Sequence, residues 1–436
     1  MNESASTRLA TPRAMTAMAE IDPRRLFLLR ALMCASVSVV APTLAACGGS
    51  SGAAPGPVGA PPPPAPPGAR RSNLATVGPL TTADANGVML PAGFSSRVVA
   101  LAGARMPGAG TGYVWHNAPD GGAVFATPDG GWIYVSNSEV LSGGVGALRF
   151  DANAQLVQQY QICSGTIGNC AGGATPWGTW LSCEEYPSGQ VWECVVEGGV
   201  PARALPALGR FTHEAVCIDT LNRHVYLTED TPGGAFFRFV PGAGDWPAGA
   251  PRGALENGSL QLMTIAAGGS FPPPAGSTSE SYTASWVDWP SAAARPGAAP
   301  FNGGEGIWYH QGEVYFATKG DNRVWRYTVA TSRLSVLYDD TMPGGGALTG
   351  VDNVLGNEFG DLLVAEDGGN QEIVALTTEG GVIALLRVTG HTGSELTGPA
   401  FSPDGSRLYF SSQRGPGANG GVGITYEVTG PFFVPG

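Results

Sequence analysis

The stretch from Cys170 to Pro187, CAGGATPWGTWLSCEEYP, combines a glycine- and proline-rich turn, a short apolar strand and an acidic end. We expect the strand at Thr179 to Ser182, and Cys183, Glu184 and Glu185 follow it directly. A thiol beside two carboxylates is poorly suited to a core, but both groups are common metal ligands. The stretch raises the question of whether other segments bring matching groups to the same place.

The composition of the 436-residue chain favours an all-β fold. The chain contains 66 glycines and 36 prolines, and only 13% of its residues are charged. No long segment carries the apolar period of an amphipathic helix. The net charge of −12 argues against nucleic acid as a partner and suits a protein that concentrates cations.

Residues 1–47 predict an export signal rather than part of the fold. Residues 24–29, RRLFLL, resemble the twin-arginine export motif, and residues 44–47, LAAC, resemble a lipobox in which Cys47 carries the lipid. A cleaved soluble signal and a short membrane anchor are the alternatives, although the apolar run is shorter than the roughly 20 residues of a spanning helix. Residues 48–71, rich in proline, glycine and alanine, predict a disordered tether. We expect a monomeric bacterial lipoprotein, periplasmic or on the cell surface, whose lipid is its only membrane contact.

Five cysteines remain beyond the export signal. In an exported protein, an odd number suggests two disulfides and one thiol that is kept for chemistry. We favour the pairs Cys163–Cys170 and Cys194–Cys217, although the sequence does not fix the connectivity. This assignment leaves Cys183 as the reactive thiol.

Residues 72–436 are the predicted folded domain, and from about residue 85 onward the chain repeats a unit of two strands joined by a polar turn. An aromatic residue or leucine marks each second strand, with spacings of 46, 46, 89, 48 and 46 residues, at Tyr134, Trp180, Tyr226, Tyr315, Leu363 and Tyr409. A period near 46 is typical of a propeller blade of four short strands. We therefore predict a six-bladed β-propeller, in which residues 241–300 are an insertion and residues 94–100 complete the last blade. Seven blades is the alternative.

The residues that follow the markers share an acidic register. Blades two, three and five carry, three and four positions after the marker, the pairs Cys183–Glu184, Glu229–Asp230 and Glu366–Asp367. A second set begins the first strands, namely Glu214, Glu305, Asp352 and Glu395. Because the two strands of a hairpin are antiparallel, both sets should meet at one mouth of the propeller channel.

So many carboxylates repel one another by several kcal/mol unless cations bind or their pKa values rise. Oxygen ligands suit Ca²⁺, and a thiolate among them suits iron or another transition metal. Lys319 takes the register position in blade four, where it could bind an anionic substrate or form a salt bridge with Glu305 or Asp321.

Residues 175–185, TPWGTWLSCEE, resemble the hallmark of the PhoX-type secreted bacterial alkaline phosphatases. Residues 209–215, GRFTHEA, and 225–230, VYLTED, are also similar to that family. Residues 304–306 and 319–325 look like its shorter branch. The resemblance covers roughly residues 85–425, which is nearly all of the predicted propeller.

The resemblance implies a six-bladed propeller, twin-arginine export, a central cluster of calcium and iron, and hydrolysis of phosphate esters at alkaline pH. It implies that Cys183 is an iron ligand and that further metal ligands come from Glu184, Glu214, Glu229, Asp230, Glu366, Asp367 and Glu395. It also implies that Asn137 and Lys319 contact the phosphate, beside Glu305. One position departs from the family, because the larger members carry arginine two residues before the glutamate matched to Glu305, where this chain has Gly303.

The leading hypothesis is a metal-dependent phosphatase that acts on a small phosphorylated substrate in the propeller channel. A lactonase-like, calcium-dependent propeller hydrolase is a second hypothesis. A non-catalytic propeller, stabilised by metal and binding a ligand or protein, is a third.

Overall fold

The computed structural model describes residues 70–436, except residues 109, 111, 267–269, 279, 290–293, 296 and 343–345. The predicted export signal and nearly all of the predicted tether lie outside the described residues. Within the described ranges, no helix is long and apolar enough to cross a membrane.

The described part of the chain is built from short β-strands and four 3-10 turns. The strands are β1 (Arg71–Ser72), β2 (Val88–Met89), β3 (Ser95–Leu101), β4 (Pro119–Ala126), β5 (Trp132–Ser138), β6 (Gly143–Phe150), β7 (Leu156–Thr166), β8 (Asn169–Ala174), β9 (Thr179–Glu184), β10 (Val191–Val195), β11 (Arg203–Ala204), β12 (His213–Asp219), β13 (His224–Glu229), β14 (Phe236–Pro241), β15 (Gly258–Ile265), β16 (Ser281–Asp288), β17 (Gly304–His310), β18 (Glu313–Thr318), β19 (Arg323–Thr328), β20 (Arg333–Asp339), β21 (Val351–Gly356), β22 (Leu362–Glu366), β23 (Glu372–Leu376), β24 (Val382–Val388), β25 (Leu396–Phe401), β26 (Arg407–Ser412), β27 (Ile424–Thr429) and β28 (Phe433–Val434). The 3-10 turns are Leu74–Thr76, Pro206–Leu208, Lys319–Asp321 and Val329–Thr331.

Six antiparallel hairpins form a closed ring. They are the pairs β4–β5, β8–β9, β12–β13, β17–β18, β21–β22 and β25–β26. The first strand of each hairpin contacts the first strands of both neighbouring hairpins, so β4, β8, β12, β17, β21 and β25 close upon themselves. Each first strand is the inner edge of its sheet, and such a ring, which leaves only short and protected edges, defines a β-propeller.

Outer strands extend these hairpins into sheets. Residues 241–300 are not only an insertion, because they supply β15 and β16. β15 pairs with β14, and β16 pairs with both β15 and β20, so the third and fourth hairpins share one nine-stranded sheet. β3 pairs with β27 on the last sheet, which confirms that the segment around residues 94–100 completes it.

The register shifts near the start of every first strand, where neighbouring first strands lie closest. A Cβ atom on Gly121 would lie 2.6 Å from Ala171 Cα, and one on Gly173 would lie 1.8 Å from the Val216 carbonyl oxygen. Only glycine allows such an approach between backbones. Because a bulge re-aims the side chains beside it, these shifts direct the strand starts into the channel.

The hydrophobic core lies between adjacent sheets. The rings of Phe236 and Phe316 stack with centroids 4.2 Å apart, and Trp325 and Tyr226 are buried in the same cluster. Each such side chain stabilises the fold by about 2 kcal/mol through burial. The packed sheets therefore hold the six hairpin ends in fixed relative positions.

Candidate metal centre

Two rows of side chains meet at one end of the ring of hairpins. In each hairpin, a residue near the start of the first strand pairs with the last residue of the second strand. The residue that follows this pair on the first strand belongs to one row. The residue that follows it after the second strand belongs to the other row. The first-strand row is Asp120, Cys170, Glu214, Glu305, Asp352 and Thr397. The second-strand row is Glu139, Glu185, Asp230, Lys319, Asp367 and Gln413. We call these two rows, together with Glu395 and Arg414, the acidic ring.

Four groups of side chains in the acidic ring have ligand atoms that lie within 4.8 Å of one another. Consecutive groups share a residue, and they are Asp120–Glu139–Cys170, Cys170–Glu185–Glu214, Glu214–Glu305–Asp352 and Asp352–Asp367–Glu395. Two carboxylates at that separation repel by roughly 3 kcal/mol at an effective dielectric constant of about 20. The acidic ring contains nine carboxyl groups and two cationic side chains, so it requires protons or metal ions to be stable.

Burial and mutual repulsion raise the pKa values of most of these groups. Burial is the largest cause for Glu214, followed by the charges of Glu305 and Glu185, and its pKa lies well above the usual value. The pKa values of Asp120 and Glu395 are raised in the same way, again chiefly by burial. Without metal ions, these carboxyl groups therefore retain protons that free carboxylates would lose.

The contact between Cys170 and Glu214 shows that these side chains fit a metal ion. Cys170 Sγ donates a hydrogen bond to Glu214 Oε1 at 3.3 Å, whereas Glu214 Oε2 is buried and has no hydrogen-bond partner. A buried oxygen left in this way costs about 1–3 kcal/mol, which a metal ion would offset. A thiolate with Glu185 and Glu214 suits a transition metal, and groups with carboxylate oxygens alone suit Ca²⁺.

Two cations flank Asp367 on one side of the acidic ring. Lys319 Nζ lies 2.9 Å from Glu305 Oε1 and 3.2 Å from Asp367 Oδ2. Arg414 Nη1 lies 2.8 Å from Glu395 Oε1, and its Nη2 lies 3.5 Å from Asp367 Oδ1. Burial alone would lower the pKa of Lys319, but the carboxylates around it raise that pKa overall. The lysine therefore stays charged, and the Lys319 and Arg414 side chains remain 23% and 30% exposed to solvent.

The structure corrects the predicted register of the second hairpin by one residue. The strand pairing places Glu184 opposite Asn169, as it places Glu229 opposite His213. Glu184 is thus the equivalent of Glu229, and Cys183 lies one position earlier. Cys183 is buried in the hydrophobic core, and this burial raises the pKa of its thiol. The thiol in the acidic ring belongs to Cys170.

Glu184, Glu229 and Glu366 end their strands but do not join the close groups of the acidic ring. Their carboxylates accept hydrogen bonds from backbone amides, so we call them the amide-bound carboxylates. The donors are Ile167 and Gln190 for Glu184, Ala235 for Glu229, and Thr349 and Glu372 for Glu366. Glu229 also forms an ion pair with Arg295. These three predicted ligands therefore fasten the loops behind the acidic ring.

Asn137 is fully buried and bound within the protein. Its Nδ2 donates to the carbonyl oxygens of Cys170 and Ala171 at 2.9 and 2.6 Å. Its Oδ1 accepts hydrogen bonds from Trp180 Nε1 and Ser182 Oγ, both at 2.9 Å. The predicted phosphate contact is thus a residue that holds the backbone of Cys170.

The acidic ring contains six predicted site residues, namely Glu214, Asp230, Glu305, Lys319, Asp367 and Glu395. The sequence reasoning missed Asp120, Glu139, Cys170 and Arg414 as site residues, and it noted Glu185 and Asp352 without placing them among the predicted ligands. A comparison of both strands of each hairpin, one residue beyond their paired ends, would have found all of these except Arg414.

The structure brings together neither of the predicted disulfide pairs, and the five described cysteines are free thiols. Cys170 points to Glu214 rather than to Cys163, and Cys217 is buried in a cluster that contains neither Cys163 nor Cys194.

A cavity of about 580 Å³ lies in the channel below the acidic ring, towards the hairpin turns. Backbone of the first strands and side chains such as Trp180, Trp308 and Phe433 line it, and none of its lining residues belongs to the acidic ring. The candidate site is therefore the charged mouth rather than this more apolar cavity.

A sequence model of the family "Alkaline phosphatase PhoX" matches residues 129–199 and 195–417. The chain belongs to the PhoX family. The matched ranges include every residue of the acidic ring except Asp120, so PhoX membership and the site concern the same part of the molecule. PhoX is a family of alkaline phosphatases, which agrees with the predicted class of activity.

A solved structure of the PhoX family shows the same fold. Pseudomonas fluorescens PhoX, in complex with vanadate, a transition state analogue, matches 83% of this chain and 98% of its own, with 17% identity and a TM-score of 0.65. A gluconolactonase from Xanthomonas campestris matches 81% of this chain and 98% of its own, with 11% identity and a TM-score of 0.44. No curated protein matches the sequence.

Proposed function

We propose that this chain is a metal-dependent phosphatase that hydrolyses phosphate monoesters at the acidic ring of a six-bladed propeller. The observation that carries the proposal is the acidic ring itself, in which four linked ligand groups lie within residues that are largely covered by the PhoX family match. The buried, unpartnered Glu214 Oε2 supports a cation at the centre of this arrangement.

The donor chemistry suggests two kinds of metal. Cys170, Glu185 and Glu214 would hold iron, since they combine a thiolate with carboxylates. Asp352, Asp367 and Glu395 offer only oxygens and would hold calcium. Metals bound here would polarise the phosphoryl oxygens and lower the pKa of the attacking oxygen nucleophile.

Lys319 and Arg414 bind the substrate phosphate in this proposal. Both cations flank Asp367 and are partly exposed, so a phosphoryl group can approach them from the channel mouth. Arg414 offers a planar guanidinium, which suits two phosphoryl oxygens at once. Glu305, which pairs with Lys319 at 2.9 Å, positions the lysine rather than contacting the ester.

Arg414 also supplies the guanidinium that Gly303 cannot. Gly303 has a φ angle of 70°, and a Cβ atom there would lie 3.1 Å from Asp230 Oδ1. A side chain at this position would therefore be strained. In this chain the arginine comes from the last hairpin, two residues after Ser412, and it reaches the acidic ring through Glu395.

The test is hydrolysis of p-nitrophenyl phosphate at alkaline pH by the full chain, with elemental analysis of the same preparation. We expect calcium, iron and a turnover that a chelator abolishes and that the two metals restore. A preparation that holds both metals and hydrolyses none of a panel of phosphate esters would contradict the proposal. Metal without ester turnover would favour the non-catalytic propeller, and lactone turnover without iron would favour the lactonase-like hydrolase.

We also propose that the chain is exported through its twin-arginine motif and anchored by a lipid on Cys47, as a monomer. The family resemblance and the sequence of residues 1–47 support this proposal. Fractionation of a bacterium that expresses the full chain should place it with the membrane, and the Cys47→Ala variant should be released. Retention of that variant would contradict the lipid anchor.

A further inference from the structure

Cys163 and Cys194 lie side by side on two neighbouring sheets. Cys163 is on β7, the outermost strand of the sheet of β4 to β7, and Cys194 is on β10 of the next sheet. β7 and β10 contact each other across the boundary between the two sheets, and the two thiols are close enough that each shifts the pKa of the other. Both side chains are buried in one hydrophobic cluster, which also contains Ile162 and Val196.

The other described cysteines have different surroundings. Cys170 belongs to the acidic ring, whereas Cys183 and Cys217 are buried in two separate hydrophobic clusters. No other two of the five described cysteines share a cluster. The pairing of Cys163 with Cys194 is thus a specific feature of the sheet packing.

We propose that Cys163 and Cys194 form a disulfide bond that joins the first and second sheets of the propeller. Two thiols that are buried in one cluster, on strands that contact each other, need only a small movement to bring their Cβ atoms to the roughly 4 Å that a disulfide requires. The proposal adds to the proposed export, since an oxidising compartment supplies the conditions under which such a bond persists.

The oxidant is an external disulfide, either that of a dithiol oxidase protein or that of oxidised glutathione. The Cys163 thiolate attacks one sulfur of the external disulfide, forms a mixed disulfide and releases one thiol. The Cys194 thiolate then attacks Cys163 Sγ and releases the second thiol, so the two cysteines lose two protons and two electrons to the external disulfide. Cys163 is the better first nucleophile, because the neighbouring Cys194 side chain lowers the pKa of its thiol.

The bond would close a loop that contains β8 and β9. This loop carries Cys170 and Glu185 of the acidic ring and the amide-bound Glu184. A disulfide restricts the unfolded chain, so it should stabilise the hairpin that delivers the only thiol of the proposed metal centre. It would also remove two thiols that could otherwise compete with Cys170 for a metal ion or become oxidised.

Peptide mapping of the full chain under denaturing, non-reducing conditions, after free thiols are alkylated, tests the bond. Trypsin is unsuitable, because Arg149 and Arg203 are the nearest basic residues and one fragment would contain four cysteines. A glutamate-specific protease separates Cys194 from the other three by cutting at Glu184 and Glu185. The fragment of residues 140–184 holds Cys163, Cys170 and Cys183, so tandem mass spectrometry identifies which of them is linked to Cys194. We expect the link at Cys163, with Cys170, Cys183 and Cys217 alkylated.

Two preparations separate this proposal from the proposed export. One is isolated from the exporting bacterium, and the other is made in a reducing cytoplasm and treated with oxidised glutathione. The linked fragment in both supports the bond and the export, and the linked fragment only after glutathione supports the bond and contradicts the export. Five alkylated cysteines after glutathione, or a link between any other two, would overturn the disulfide.

Thermal unfolding adds a second readout. Reductant should lower the Tm of the oxidised chain by about 4 °C, as expected for a loop of this length in a large domain. The Cys163→Ser variant should not respond to reductant, whereas the control Cys217→Ser should respond like the unmodified chain. An equal response of Cys163→Ser and the unmodified chain would contradict the proposal, and the peptide map decides the question if that variant does not fold.

Discussion

The acidic ring and the amide-bound carboxylates contain the same chemical group one residue apart. Glu184, Glu229 and Glu366 bind backbone amides, whereas Glu185, Asp230 and Asp367 follow them directly and belong to the acidic ring. Successive side chains of a strand point to opposite sides. One position along the chain therefore decides whether a carboxylate fastens a loop or faces the channel.

The largest expected effect separates the two cysteines that the register distinguishes. Cys170→Ser should remove the iron and lower phosphatase activity by at least about 10²-fold, since it deletes a proposed metal ligand. Cys183→Ser should retain iron and activity and should lower only the Tm, because its hydroxyl enters an apolar cluster. Iron content and turnover of the two variants, measured side by side, decide the point. Loss of iron from Cys183→Ser, but not from Cys170→Ser, would show that Cys183 rather than Cys170 is the metal ligand.

The next test compares Glu185 with Glu184. Glu185→Gln should weaken metal affinity by about 10- to 10²-fold with little change in stability. Glu184→Gln should cost about 1–3 kcal/mol of unfolding free energy, because its new NH₂ group faces a backbone N–H that needs an acceptor. Metal titration and chemical denaturation of both variants provide the measurements. Similar metal affinities in the two variants would contradict the assignment of Glu185, and not Glu184, as a metal ligand.

Arg414 tests the cationic side of the acidic ring. Arg414→Ala should lower kcat/KM for a phosphate monoester by about 10- to 10²-fold while metal content is unchanged, because it removes a partner of the phosphoryl oxygens. Arg407, which pairs with Glu427 on the same sheet, is the matched control, and Arg407→Ala should leave kcat/KM unchanged. Equal effects of the two substitutions would indicate that Arg414 acts only through stability.

The smallest expected effect is the pH dependence of the metal-free protein. Glu214 has a folded-state pKa raised above the usual 4.5, so it contributes stability that is complete below that pH and is lost as pH rises towards the folded-state pKa. The Tm of the chelated protein should therefore fall by about 5 °C or more between about pH 5 and pH 9. Glu214→Gln should reduce this slope, and restored metals should abolish it. If the Tm of the metal-free protein rises over this range, Glu214 is not a buried carboxyl group that keeps its proton.

The sequence predicted the kind of site more reliably than its members. The repeat near 46 residues and the antiparallel pairing of the two strands in each hairpin predicted that Glu214, Asp352 and Asp367 lie at one mouth of the propeller channel. Taking Trp180 as the marker of the second hairpin placed Cys183 in this register, and the predicted Cys163–Cys170 disulfide removed Cys170 from the candidates. Leu181 fits the period almost as well as Trp180. Because the loops between strands can differ in length by one residue, the spacing does not show which of the two is the marker.

The amino-acid sequence by itself determined the all-β repeat, the acidic excess and the family, because strand periodicity, charge and the motif TPWGTWLSCEE are local properties of the chain. Only the tertiary structure decided which carboxylates belong to the acidic ring, since bulges and strand pairing set the direction of each side chain. It also decided that Arg414 reaches Asp367 and that Cys163 meets Cys194. Those contacts join separate strands or sheets, and no local pattern encodes the distance between them.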